Sequence, residues 1–208
     1  MFITPQELCK EFGVQINGII HVGACTGEEF SLYKKIEVNN VIWIEANIHL
    51  AYNLSKKLEN ISGHSVYCFA ATDVSDQLVT LNITNNLQSS SILKLKKHKK
   101  YYPNIKVNKQ IKVTTLTLDD FTWAVGFDKN QYNFLNIDIQ GAELLALKGA
   151  KNLLQSIDYV YTEVNKEELY EDCCMIDEID QFLLSFGFIR KKTYWTNENW
   201  GDAFYIKN

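Results

Sequence analysis

"NFLNIDIQGAELLALKGA", residues 133–150, carries a short apolar strand straight into a helix. NFLNID (133–138) has the make-up of a buried strand, and helical signals follow over 142–154. Three polar side chains, Asp138, Gln140 and Glu143, surround Gly141 at the junction. A buried strand has no packing use for a carboxylate at its last position. Asp138 therefore needs either a structural or a chemical reason to be there.

The same strand-then-helix unit recurs along the chain. GIIHVG (18–23), NVIWIE (40–45), SVYCFAA (65–71) and DYVYTEV (158–164) are also short, apolar and rich in Val and Ile. EEFSLYKKI follows the first with helical spacing at Phe30, Tyr33 and Ile36. HLAYNLSKKL follows the second with apolar positions at Leu50, Leu54 and Leu58, and 177–186 follows the fifth. Strands alternating with helices predict an α/β fold around a mostly parallel sheet covered on both faces.

Two segments depart from the alternation. QLVTLNITN and KVNKQIKVTTL read as two further strands joined by a Lys-rich crossing, so a β-rich insertion is expected at about 77–116. GFIRKKTYW, TNENWG and DAFYIKN read as a C-terminal antiparallel hairpin around a polar turn, unlike the order of a standard dinucleotide fold. With no internal repeat, low-complexity tract or linker, the expectation is one domain over 1–208.

Composition narrows the function classes. Hydrophobic residues make up 46% of 208 positions and the net charge is only −4, so charge alone implies neither a nucleic-acid nor a membrane partner. No apolar run approaches the roughly 18–20 residues that span a bilayer. MFITPQELCKEF has neither the basic nor the long apolar region of a signal peptide. Cys9, Cys25, Cys68, Cys173 and Cys174 are odd in number with two adjacent, which suits reduced thiols in a cytoplasmic protein.

The first strand runs into HVGACTGEE, where Gly23 and Gly27 flank a turn and Glu28 and Glu29 open a helix. Glycines let backbone pass close to a ligand, and a helix start presents unpaired N–H groups. Glu45 ends the second strand, 22 residues past Gly23, where a ribose-binding carboxylate is expected. The dinucleotide pattern would need glycines where Cys25 and Glu28 stand, and two glutamates would repel a pyrophosphate. S-adenosylmethionine carries a sulfonium and an ammonium instead, so acidic surroundings favour it over NAD.

With these motifs in view, the chain resembles the FkbM-type methyltransferases, a branch of the class I S-adenosylmethionine-dependent enzymes. HVGACTGEEF, IWIEAN, AATDVSDQ, SSSI, VTTLTLDDF and NIDIQGAELLALKGA carry the resemblance over roughly residues 20–150. It implies a Rossmann-like, seven-stranded class I fold. It also implies methyl transfer, typically to a hydroxyl oxygen, on substrates that include sugars and polyketides. Carried over by position, it puts Gly23, Ala24 and Gly27 under the methionine half of S-adenosyl-L-methionine. Glu45 would hold the ribose, Ala46 would lie near the adenine, Ala71 and Asp73 in the loop bordering the base, and Asp138 close to the sulfonium. Two positions depart from the family pattern. His21 stands where an acidic residue is usual, which leaves the hold on the methionine ammonium open. The motif D-x-E-G-A-E reads Asp138-Ile139-Gln140-Gly141-Ala142-Glu143, and Gln140 in place of Glu weakens any role requiring two carboxylates, such as a divalent metal site.

Each candidate has a plainer reading beside the functional one. Asp138 is the expected base or hydroxyl-orienting group, or a strand-end cap for the next helix. Glu143 and Glu163 are the further acid–base candidates. A helix dipole would also favour Glu143 in a first turn, and Glu163 would equally serve as a buried partner. His21 on an apolar strand is a cofactor neighbour or a satisfied core histidine, and Gln140 is suited to orienting a substrate hydroxyl. KLKKHKKYYPNIK holds five lysines between 94 and 100 on a helix-forming stretch. Lys96 and Lys97 there would contact an anionic acceptor, or else belong to a solvated face. RNA is the weaker partner for the run, given the overall acidity. Trp195 and Trp200 are packing residues or platforms for a sugar ring. The rival functions are a donor-binding protein without catalysis and, less favoured, an NAD-dependent oxidoreductase.

Overall fold

The computed structural model describes residues 1–128 and 130–208. Ten strands follow in chain order: β1 (Ile19–Val22), β2 (Val41–Ile44), β3 (His64–Tyr67), β4 (Ala70–Ala71), β5 (Leu78–Thr84), β6 (Val107–Leu116), β7 (Phe134–Ile137), β8 (Tyr159–Asn165), β9 (Phe188–Trp195) and β10 (Trp200–Lys207). Eight α-helices accompany them: α1 (Pro5–Phe12), α2 (Phe30–Lys35), α3 (Ile48–Leu58), α4 (His98–Tyr101), α5 (Leu118–Ala124), α6 (Glu143–Lys148), α7 (Leu153–Ser156) and α8 (Ile176–Leu184).

Seven strands form one sheet in the order β3-β2-β1-β7-β8-β10-β9. The first five run parallel, and the β9–β10 hairpin joins β8 antiparallel, as expected from the sequence. Parallel strands covered on both faces are apolar throughout, and every residue of β1, β2 and β7 is buried. Alternate side chains serve opposite layers. Ile20, Val22, Leu135 and Ile137 pack with Leu118, Leu147 and Leu154. Ile19, Val41, Trp43 and Phe134 pack with Leu8, Tyr33 and Leu54.

Three expected elements are broken where the sequence alone read continuity. The segment expected as one strand over 65–71 is two: β3 pairs with β2, and β4 leaves to pair with β6 in a three-stranded sheet of order β4-β6-β5. β3 is a half-exposed edge strand, so nothing on its far side holds the chain in the main sheet. The helix expected over 142–154 stops at Lys148, and Gly149 after it passes so close to Thr72 that a side chain there would meet the Thr72 carbonyl oxygen at 2.1 Å. It restarts at Leu153, with the Asp119 carboxylate accepting the Asn152 and Leu153 N–H groups. The Lys-rich crossing is helical only over α4. Before it, the Lys96 and His98 N–H groups both donate to the Leu169 carbonyl, and Glu171 N–H donates to Lys94.

That backbone pairing lays the insertion over the end of β8. Helix α1, outside the strand–helix alternation, has clear local causes. Thr4 and Glu7 form a reciprocal capping box, Pro5 opens the helix, and Gly13 closes it in a left-handed conformation. All five cysteines carry free thiols. No helix among the described residues is long and apolar enough to cross a membrane.

Candidate active site

A cavity of about 390 Å³ opens at the carboxyl ends of β1, β2, β7 and β8, where sheets of this class bind ligands. One bank is the glycine turn after β1. Gly23 has φ +90°, and any Cβ there would fall 1.8 Å from the carbonyl oxygen of Asp138. The Gly23 and Ala24 N–H groups donate to the Ile44 carbonyl at 2.9 and 3.0 Å, which seats the turn against β2.

Glu45 faces that turn from the end of β2. Its two carboxylate oxygens accept the N–H groups of Cys25 (2.8 Å) and Asn47 (2.7 Å). A carboxylate offers about four lone-pair sites, so each oxygen keeps capacity for a further donor such as a ribose hydroxyl. Beyond Glu45, Ala46, Phe69, Ala71, Leu81 and Ile139 line a largely apolar slot.

The floor is acidic. Asp138, Glu163 and Asp202 line the cavity from β7's end, β8 and β10, with Glu163 directly opposite Asp202 in the sheet register. Burial pushes all three carboxyls above their ordinary range; Asp202 raises Asp138 further and Asp138 raises Glu163, while the Tyr161 hydroxyl and the Met1 ammonium, which lines the same cavity, draw Asp202 back down. Like charges so placed are unfavourable unless a proton or a cation joins them. Gln140 stands between two of them. Its amide nitrogen donates to Asp138 Oδ1 (2.8 Å) and to Glu163 Oε2 (2.6 Å), while its carbonyl oxygen accepts the Tyr170 hydroxyl at 2.7 Å. Gln140 adopts φ +58°, and its backbone oxygen accepts the Ser91 hydroxyl from the insertion.

Of the residues expected from sequence, His21, Gly23, Glu45, Ala46, Ala71, Asp138, Gln140 and Glu163 line the cavity. His21 does so as a buried core side chain. Its Nδ1 lies 3.0 Å from the Tyr33 hydroxyl, its ring packs on Trp43, and burial lowers its pKa to about 4, so it is neutral. The other expected residues are not among those that line it. Ala24 is buried beneath the turn and Gly27 packs on Leu54. Asp73 is exposed outside the cavity. Glu143 is fully buried behind the junction, where its Oε1 accepts the Ile139 (3.1 Å) and Gly141 (2.9 Å) N–H groups. It shapes the loop that carries Gln140 and does not reach the cavity. Lys96 and Lys97 are exposed and pair with Glu168 and Glu167 at 2.5 and 2.8 Å.

The sequence reading passed over Asp202, Tyr170 and His98. An acidic residue inside the apolar run WGDAFYI was the available signal for Asp202, of the same kind that marked Asp138. Nothing local distinguishes Tyr170 or His98; the pairing of the insertion with the loop after β8 brings them in.

The site's pieces fit S-adenosylmethionine. The Gly23 turn gives close approach, Glu45 has free acceptor capacity, the apolar slot suits a purine, and the acidic floor suits a cation. Comparison with known proteins agrees. A family model described as the methyltransferase FkbM domain matches residues 21–190. The 2-O-methyltransferase NoeI of Sinorhizobium fredii is 32% identical over 101 residues, covering 49% of this chain and 41% of that protein. The crystal structure of methyltransferase FkbM from Methylobacillus flagellatus superposes with a TM-score of 0.59 at 17% identity, covering 91% of this chain and 43% of that one. A SAM-dependent methyltransferase from Aquifex aeolicus gives 0.50 at 13% identity, covering 98% and 90%. The chain thus spans about two fifths of the length of the first two.

Proposed function

The chain belongs to the FkbM methyltransferase family, and on that premise we propose that it moves a methyl group from S-adenosylmethionine to a hydroxyl oxygen of a sugar-type acceptor. When bound, the donor supplies an activated methyl group on a positive sulfur, and its displacement leaves a neutral thioether. The chain's own work is to hold, orient and take a proton. Gly23 and Glu45 hold the donor's two ends, and the carboxylates of the floor favour its positive charge. Holding the acceptor oxygen in line is the larger source of acceleration.

Asp138 takes the hydroxyl proton. Such a base typically contributes about 10²–10⁴-fold. Gln140 fixes Asp138 by its amide bond to Oδ1, leaving Oδ2 for the acceptor. The observation that carries the reading is this junction. The carbonyl of Asp138 abuts the donor turn at Gly23, while its carboxylate faces the polar half of the cavity. A relative whose name is 2-O-methyltransferase supports oxygen as the acceptor atom.

The test is turnover. Purified protein with S-adenosylmethionine and a panel of glycosides, polyols and hydroxylated lipids should release S-adenosylhomocysteine with a glycoside and yield a methyl ether. Tight S-adenosylhomocysteine binding without turnover of any acceptor would point to a donor-binding protein. Methylation at nitrogen or carbon would overturn the oxygen assignment.

A further inference from the structure

Tyr170 stands in the loop after β8, 1% exposed, and lines the cavity beside Gln140. The insertion and the junction hold it from two sides. It bridges antiparallel to Leu95 of the insertion, and its ring packs with Leu95, Leu169 and Cys173. Gly141, next to Gln140, leaves room for it: a Cβ there would meet the Tyr170 Cβ at 3.2 Å. A ring held so closely delivers its hydroxyl to one place, the oxygen end of the Gln140 amide. The hydroxyl donates to Gln140 Oε1 at 2.7 Å, whereas the Ser89 carbonyl lies at 3.4 Å. Burial lifts the Tyr170 hydroxyl well above its ordinary range, so it stays a donor.

We propose that Tyr170 is a positioning residue: its hydroxyl fixes the Gln140 amide with the nitrogen toward Asp138 and Glu163, and so keeps the Asp138 carboxylate available as a base. The inference rests on the methyl-transfer reading for the use of that base, and adds the residue that readies it.

The two ends of an amide differ in chemistry and hardly in shape. Ser91 holds the Gln140 backbone, so the freedom left to settle is the turn of the amide itself, a torsion with broad preferences of its own. In the observed turn, Gln140 gives one N–H to Asp138 Oδ1 and one to Glu163 Oε2, and both bonds favour ionised carboxylates. Turned over, the amide would set Oε1 against the same two carboxyls and favour their protonated forms. The carboxyls do not settle the matter alone. Burial and mutual repulsion favour their protonation, and a protonated carboxyl would donate to the turned oxygen. Tyr170 decides it, because its hydroxyl has a good acceptor only in the observed turn. Asp138 also feels Glu163 from β8, Asp202 from β10, Glu29 at the start of α2, Glu143 of α6 and the Met1 ammonium, none of which a substitution at Tyr170 alters.

The test reads Asp138 directly. In protein labelled with carbon-13 at its aspartate carboxyls, the Asp138 signal, identified by its loss in Asp138→Asn, is followed by NMR as pH is varied. The wild-type midpoint should lie at about 6. Tyr170→Phe removes one oxygen and keeps the ring. It should raise the midpoint by about one unit, the scale of one hydrogen bond to a charged group. Gln140→Met removes the amide at similar length and should raise it at least as far. Tyr170→Phe added to Gln140→Met should then change nothing further, a non-additivity that packing alone would not give. Should Tyr170→Phe fail to fold, 3-fluorotyrosine at position 170, a sharper donor on the same ring, should lower the midpoint. With an acceptor that wild type methylates, the acid limb of kcat in Tyr170→Phe should move with the midpoint, and the KM for S-adenosylmethionine should not. An unmoved midpoint in either Tyr170 variant, or a further rise in the double variant, overturns the inference. Midpoints that behave as expected without turnover of any acceptor instead count against the methyl-transfer reading and leave the hold on Asp138 in place.

Discussion

Gly23 and Asp138 touch through backbone: a Cβ at position 23 would lie 1.8 Å from the Asp138 carbonyl oxygen, at φ +90°. The glycine turn and the strand end that carries the proposed base are therefore one packed unit. Gly23→Ala must either displace the end of β7 or open the turn, on top of left-handed strain of about 1–2 kcal/mol. The variant should melt at lower temperature and lose most affinity for S-adenosylhomocysteine by calorimetry. Near-normal binding would mean that the turn is not the donor's seat.

Glu45 anchors the same turn from the other side through Cys25, and accepts the Asn47 N–H at the start of α3. Glu45→Ala should weaken S-adenosylhomocysteine binding by about 1.5–3 kcal/mol, as expected for a lost charged hydrogen-bond partner. It should also lower the melting temperature, because two backbone N–H groups lose their acceptor. Glu45→Gln retains one acceptor oxygen and should fall between. A folded alanine variant with unchanged affinity would place the ribose elsewhere.

Burial, reinforced by Asp202, pushes the Asp138 carboxyl up to about 6. A base must be ionised, so kcat should fall as pH drops through about 6 and level off above it. Asp138→Asn should cost about 10²-fold or more in kcat and remove that acid limb. Stability should move the other way. A raised folded-state pKa contributes stability only at low pH, and that stability is lost as pH climbs through about 6. At pH 8 the donor-free Asn variant should therefore melt above wild type. Turnover that survives in Asn would reduce Asp138 to a cap.

The lysine pair offers a negative control. Lys96 and Lys97 are exposed and paired with Glu168 and Glu167, and such surface pairs contribute little. Replacing both with Ser should leave kcat and KM within about two-fold for any acceptor, and salt should not mimic a defect. A raised KM would return the run to the acceptor's path.

The central strands and the closing hairpin were legible because burial writes itself as short apolar runs with Val and Ile. Asp138, Glu45 and Gly23 were legible for the converse reason, as residues a buried strand or an ordinary turn would not choose. What escaped depends on distant chain. The break between β3 and β4 comes from pairing with β6, some forty residues on. The close approach of Thr72 to Gly149, just past the end of α6, is likewise a contact with distant chain. His98 reads as one polar residue in a basic run until Leu169 fixes its backbone. Helix α1 was different, since Thr4, Pro5, Glu7 and Gly13 spelled its limits locally.

Only Cys68 and Phe69 separate β3 in the main sheet from β4 in the small one. Ala71, just past that joint, lines the apolar slot of the cavity, and the small sheet it enters carries the segment bearing Ser89 and His98. Any shift of the small sheet would therefore also move the wall of the apolar slot. Linkage makes such an effect reciprocal: whatever factor one ligand adds to the other's affinity is returned in full. A donor and an acceptor seated on opposite sides of so short a joint would therefore bind as a coupled pair.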